Sequence, residues 1–171
     1  LKPDYAEAHN NLGNTLKGLG KSEEGVASYQ KALAIKPDYV EAHNNLGNTL
    51  QSMGRLDEAA ASYHKAIAIK PDLAEAHNNL GNALKGLGKP EEAMASYRKA
   101  LAVKFDFAEA HNNLGATLKE QRRLDEAIAS YHKAIAIKPD FAEAYYNLGT
   151  ALQKLGKLEE AVAHCHKAIA I

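Results

Sequence analysis

The chain has almost no cysteine, no net charge and no long apolar run, and each lack excludes something. A single cysteine, Cys165, rules out a disulfide within the chain and fits a reducing compartment, read here as the cytoplasm. Lysine plus arginine equals aspartate plus glutamate at 21 each, giving a formal charge of zero. A general nucleic-acid binder would show a basic excess or a basic stripe, and neither is present. No apolar stretch approaches the ~20 residues of a membrane-spanning helix, and no signal-peptide pattern opens the sequence. Runs of β-branched residues are missing too, while alanine, leucine, lysine and glutamate dominate. What remains is an all-α reading.

What is present is a repeat. The stretch 74–82, AEAHNNLGN, returns almost unchanged at 6–14 and 40–48 and with small edits at 108–116 and 142–150, always 34 residues apart. A fixed period of that size marks stacked supersecondary units, each too small to bury its own apolar face. The chain divides accordingly into 1–5 (the tail of a preceding unit), then 6–39, 40–73, 74–107, 108–141 and 142–171. All twelve asparagines fall inside the five copies: Asn10, Asn11, Asn14, Asn44, Asn45, Asn48, Asn78, Asn79, Asn82, Asn112, Asn113 and Asn147. Asparagine is a middling helix former because its side chain competes for backbone hydrogen bonds, so its confinement to one stripe points to a use.

Each unit reads as helix–turn–helix. Asp4 with Glu7 forms an Asp-x-x-Glu pattern that recurs at Asp38/Glu41, Asp72/Glu75, Asp106/Glu109 and Asp140/Glu143, an N-cap followed by the carboxylate of a capping box. Pro3, Pro37, Pro71 and Pro139 stop the preceding helix. Gly20, Gly54, Gly88 and Gly156 suit the left-handed residue that closes the first helix. A second helix follows, as in 56–69, with Leu56, Ala59, Ala60, Tyr63, Ala66 and Ile67 at helical spacing. Three departures stand out. Gly25 replaces the alanine of the other units, where only a small residue fits. Gln121-Arg122 replaces Leu-Gly, so the fourth turn is expected to be the most strained. Phe105 takes the proline slot and removes the usual helix stop.

Leu46-Gly47, Ala59, Tyr63, Ala66 and Pro71 stand in the order of the tetratricopeptide repeat, and the resemblance covers essentially the whole chain. His9, His43, His77 and His111 depart from it, since the family often has a large aromatic there. The resemblance implies an all-α, right-handed superhelical solenoid of five repeats, with first helices lining the concave face. It also implies a binding scaffold and not an enzyme, with no cofactor. Projecting one first helix at 100° per residue puts Glu41, Asn44, Asn45, Asn48, Gln51 and Ser52 on one half. Ala42, His43, Leu46, Gly47, Thr49, Leu50 and Met53 fall on the other. The asparagine half is expected to face solvent.

Asn11, Asn45, Asn79, Asn113 and Asn147 occur in all five units. An amide carries donors and an acceptor, so one rung per repeat would meet an extended peptide about every third residue, given roughly 8–10 Å between packed helices and about 3.3 Å per extended residue. The other asparagines of the stripe would join this peptide-binding ladder. The alternative is that the amides tie neighbouring repeats together. Such a ladder resembles the repeat arm of O-GlcNAc transferases and bacterial glycosyltransferase-like proteins, so a substrate-recognition arm is a second reading and a self-assembly module a third. Co-chaperone repeat domains grip a carboxylate with groove lysines and arginines. Glu7, Asn10, Glu41, Asn45, Glu75 and Asn79 hold those places here, which argues against such a clamp. Recurring groove glutamates likewise argue against RNA.

The histidines stand one repeat apart, too far to share a metal ion. His164-Cys165-His166 lies in a helix, where side chains two apart diverge. No nucleophile–base set, phosphate loop or catalytic carboxylate pair can be assembled. Finally, Leu1 and Ile171 occupy the same phase of the repeat, so the chain reads as cut from a longer array. Val162, Cys165 and Ile169 at one end and Leu12 and Leu16 at the other are expected to be left apolar and complementary. Head-to-tail self-association follows from that expectation.

Overall fold

The computed structural model describes residues 5–171; Leu1, Pro3 and Asp4, named above, lie outside them. The described residues form ten α-helices and no strand. They are α1 (Ala6–Gly18), α2 (Ser22–Ile35), α3 (Val40–Ser52), α4 (Leu56–Ile69), α5 (Ala74–Gly86), α6 (Pro90–Val103), α7 (Ala108–Glu120), α8 (Leu124–Ile137), α9 (Ala142–Lys154) and α10 (Leu158–Ala170). The chain divides into two compact units between Gly88 and Lys89. In the first, α1 packs on α2, α3 on α4, and the hairpins join through α2–α3 and α4–α5. In the second, α7 packs on α8 and α9 on α10, with α6–α7 and α8–α9 as the joins.

The hairpin is held by a large residue on the second helix pressed against a glycine on the first. Tyr63 is fully buried, and a Cβ added to Gly47 would lie 2.6 Å from its ring. Real Cβ atoms do not approach that closely, so the Leu-Gly pair leaves room for the tyrosine ring. Ala59, Ala93 and Ala127 are buried to the last square ångström, and a Cβ on their counterpart Gly25 would lie 3.1 Å from the Gly13 carbonyl oxygen. That contact is as restrictive as the sequence implies.

The first helices close as expected. Gly20, Gly54, Gly88 and Gly156 have φ of 76°, 76°, 72° and 79°. Arg122 takes the same role with φ 60° and is the one non-glycine residue at positive φ among the described residues. A side chain there costs roughly 1–2 kcal/mol, so the fourth turn is indeed the strained one.

The helix starts differ from expectation. The N-cap residues are Tyr5, Tyr39, Leu73, Phe107 and Phe141, and none makes a side-chain capping bond. Asp38, Asp72, Asp106 and Asp140 sit one residue too early. The cause is the preceding proline: Pro37-Asp38 fills the middle of a turn in which the Tyr39 N–H donates to the Lys36 carbonyl at 3.2 Å. Phe141 donates to Lys138 in the same way at 3.1 Å. Asp is a turn residue here, and the capping-box reading fails. Phe105 changes nothing in the backbone; α6 ends at Val103, level with Ile69 of α4.

Candidate functional site

The asparagines do not all face solvent. Asn10, Asn78 and Asn112 are buried, and the Oδ1 of half-buried Asn44 is sealed from solvent without a hydrogen-bond partner. In the pairs α1–α3 and α7–α9, successive first helices touch, and the later one covers the edge of the earlier one's stripe. A projection of one helix sees only its hairpin partner, which is why the stripe reads as exposed.

What the stripe forms is a set of amide links between repeats. Asn45 Nδ2 donates to Asn10 Oδ1 at 3.1 Å, Asn79 Nδ2 to Asn48 Oδ1 at 2.9 Å, and Asn147 Nδ2 to Asn112 Oδ1 at 3.1 Å. Asn45, Asn79 and Asn147 thus donate to the repeat before them. Asn11 and Asn14 are exposed, and Asn14 accepts the Tyr29 hydroxyl at 2.7 Å. Asn112 also donates to Glu143 at 3.0 Å, and Asn78 to Asn79 at 3.4 Å. Each link uses one N–H of an amide that has two N–H groups and two acceptor lone pairs.

Each of the first four repeats buries a tyrosine, and the sequence explains why the hydroxyls of Tyr63 and Tyr131 differ in pairing. Burial pushes the Tyr29 phenol pKa up; Thr49 of the following repeat faces it and partly offsets the rise. Tyr63 finds Asn48 at 2.8 Å and Gln51 at 3.0 Å. Tyr131 has neither kind of partner, because Ala116 stands where Asn14 and Asn48 do and Ala151 stands where Thr49 does. Its hydroxyl is buried without a hydrogen bond. Burial drives its pKa well above the usual phenol range, and Glu120 and Glu143 push the same way. Lys119 passes 5.9 Å over its ring to reach Asn147 Oδ1 at 3.1 Å and Thr150 Oγ1 at 2.9 Å.

Three of the repeat histidines bond the backbone. His43, His77 and His111 are buried, with Nε2 on the carbonyl oxygens of Pro37 and Pro71 at 2.8 Å and of Phe105 at 3.1 Å. A carbonyl can only accept, so Nε2 carries the proton. The Nδ1 atoms of His43 and His77 are left buried and unpartnered. Burial lowers the His111 pKa, opposed by the bond to Phe105, with Lys133 lowering it further. Among the described residues no group of three His, Cys, Asp or Glu is placed to hold a metal ion. Ser28, Ser62, Ser96 and Ser130 bond backward within α2, α4, α6 and α8, Ser62 Oγ reaching the Glu58 carbonyl at 2.9 Å. No helix among the described residues is long and apolar enough to cross a membrane.

The apolar end residues are placed as follows. Val162, Ile169 and Leu12 are 56%, 83% and 47% exposed, and Cys165 and Leu16 are half-buried. Gly149, Gln153, Leu158, Val162, Cys165 and Ile169 are among the residues lining an apolar hollow of about 420 Å³ on α9 and α10.

A family model for the TPR repeat matches residues 19–54, 50–88 and 118–156, and one for the tetratricopeptide repeat matches 74–107 and 142–171. A search of the curated proteins finds no match. Among solved structures, a crystal structure of MamA is 30% identical with a TM-score of 0.85, covering 92% of this chain and 92% of that one. YrrB, described as a TPR protein with an unusual peptide-binding site, is 25% identical with a TM-score of 0.78 over 99% of this chain and 87% of its own. The Pseudomonas aeruginosa pilF protein, at 22% identity and a TM-score of 0.87 over 96% of this chain and 75% of its own, shares the fold. With ten helices in the 34-residue rhythm and family models matching most of its length, this all-α chain belongs to the tetratricopeptide repeat family, whose units serve generally as binding scaffolds.

Proposed function

We propose that the chain is a non-catalytic, cytoplasmic scaffold that binds an extended peptide or protein segment along its first-helix face, with the recurring asparagines as rungs. The observation that carries this reading is the linkage of Asn45, Asn79 and Asn147 to the preceding repeat. A side chain held in place by one N–H meets a peptide group with its ordering entropy already spent, which is what preorganisation contributes to affinity. The rungs are neutral and glutamates recur beside them, so the face suits an amide backbone better than phosphate or a lone carboxylate.

A random peptide display library selected on the immobilised protein tests it. Each hydrogen bond contributes about 0.5–1.5 kcal/mol, so single variants weaken a selected peptide modestly. Asn45→Ala, Asn79→Ala and Asn113→Ala combined abolish measurable binding by calorimetry while the protein stays folded by circular dichroism. Selected peptides that bind the folded triple variant normally would assign these residues to inter-repeat structure alone.

The exposed apolar surfaces support a second reading, head-to-tail self-association. The counterparts of Val162 and Leu12 inside the chain, such as Val26 and Met94 or Leu80 and Leu148, are buried. The uncovered surfaces therefore have the chemistry of joints already made elsewhere in the chain. Contact of that kind is heterologous and propagates instead of closing. Light scattering on the wild type is expected to rise with concentration, and Ile169→Lys to suppress the rise; a wild type monomeric at every concentration refutes it.

A further inference from the structure

Away from the asparagine face, the second helices carry a groove that neither the fold nor the ladder uses. In the second unit it runs between α6 and α8, has a volume of about 690 Å³, and is floored by Leu101, Leu114 and Ile137 with Ala102 and Ala136. Arg98 and Lys133 stand at its sides, and no Asp or Glu lines it. Phe105 lies along it, 82% exposed.

The first unit holds the counterpart between α2 and α4, about 630 Å³, with Gln30 in place of Arg98, Pro37 in place of Phe105 and Lys65 in place of Lys133. Two substitutions thus separate the grooves in their polar and aromatic lining, and both move one way: one adds a cation and the other an aromatic ring.

Neither addition serves the fold. Phe105 keeps the backbone path of the proline it replaces, down to the bond its carbonyl accepts from His111. Its ring gains almost no burial, so the substitution forfeits the stiffness of proline without a packing return. Arg98 makes no ion pair or hydrogen bond among the described residues, and its field is felt by Glu126. That carboxylate is already held by two bonds from Arg123, at 2.7 and 2.8 Å. Lys133 is likewise unpaired, its field felt by buried His111. An exposed aromatic beside an apolar trough, flanked by unspent cations, is a surface waiting for a partner of opposite charge.

We propose that the α6–α8 groove is a second docking site, taking a protein segment in which a large apolar side chain is flanked by carboxylates. The apolar side chain packs between Phe105 and the Leu101–Leu114–Ile137 floor, and the carboxylates meet Arg98 and Lys133. Two cations beside a trough fit side-chain recognition; nucleic acid would need a basic stripe along several phosphates. The site is on the second-helix side, so it could be filled while a peptide occupies the asparagine face.

The test uses the whole chain and a fluorescein-labelled peptide, Glu-Glu-Leu-Phe-Glu-Glu, with Lys-Lys-Leu-Phe-Lys-Lys as its charge-reversed mate. Fluorescence anisotropy is expected to show preference for the acidic probe. Arg98→Glu with Lys133→Glu should weaken it by about tenfold or more, since like charges then face each other. Phe105→Pro should weaken it by several-fold, and Gln30→Glu with Lys65→Glu in the first-unit groove should leave it unchanged. All five positions are exposed, and circular dichroism verifies the fold. Absent binding, equal binding of both probes, an equal loss in the first-unit variant, or preference for anionic phosphatidylserine vesicles over the peptide would each overturn the assignment.

Discussion

The α3–α4 hairpin of the first unit and the α7–α8 hairpin of the second have nearly the same sequence and the same packing, yet differ in polar detail. Tyr63 and Tyr131 are both fully buried, and a Cβ on Gly47 or Gly115 would sit 2.6 or 2.7 Å from the facing ring. Around that shared centre the second hairpin has lost an asparagine at Ala116, a turn glycine at Arg122 and, just before α7, a proline at Phe105. The fold absorbs all three losses. Tyrosine-against-glycine packing is therefore what these two hairpins keep, while hydrogen bonds and turn chemistry are adjustable at about a kcal/mol each.

The largest test bears on the part the hairpins share. Gly47→Val and Gly115→Val should each cost about 3 kcal/mol, the upper range for overpacking a buried contact, measured by guanidinium unfolding. If one is tolerated and the other is not, the two centres are not equivalent. A smaller and sharper test concerns the tyrosine hydroxyls. Tyr63→Phe should cost about 1 kcal/mol, whereas Tyr131→Phe should be neutral or stabilising, because it removes a buried group that lacks a partner. Ala116→Asn should gain about 1 kcal/mol in the wild type and nothing in a Tyr131→Phe background. A gain that persists without the hydroxyl would show that Asn at 116 acts through something other than Tyr131. Smallest is the turn: Arg122→Gly should gain about 1 kcal/mol, and Gly54→Ala should lose a similar amount, since only the left-handed conformation distinguishes them. No gain from Arg122→Gly would mean that Arg122 is not strained.

Much of this was legible from residue spacing. The 34-residue step, the closing glycines and the odd turn at Arg122 are local matters, decided by backbone geometry within a few residues. The helix starts were misplaced by one residue because Asp is both a good cap and a good turn residue, and the adjoining proline settles which. The asparagine stripe was misread for a different reason. Whether Asn10 or Asn112 is buried depends on the helix 34 residues later, and no projection of a single helix contains that neighbour. The orphaned Tyr131 hydroxyl could have been found by aligning the copies, since Ala116 and Ala151 stand where the asparagine and threonine partners of the earlier tyrosines do.

The bond from each histidine ring to the carbonyl six residues earlier has a consequence for how such an array comes apart. His43, His77 and His111 each clasp the connection that leads into their own helix. Repeat proteins behave as chains of coupled units that can fray one at a time, with opening free energies that vary along the array. In a sequence this repetitive, backbone amide signals crowd together. The three imidazole N–H protons report on separate joints, and each exchanges with solvent only when its own clasp opens. Their exchange rates would give a site-by-site record of fraying, with a clock already built into three of the joints.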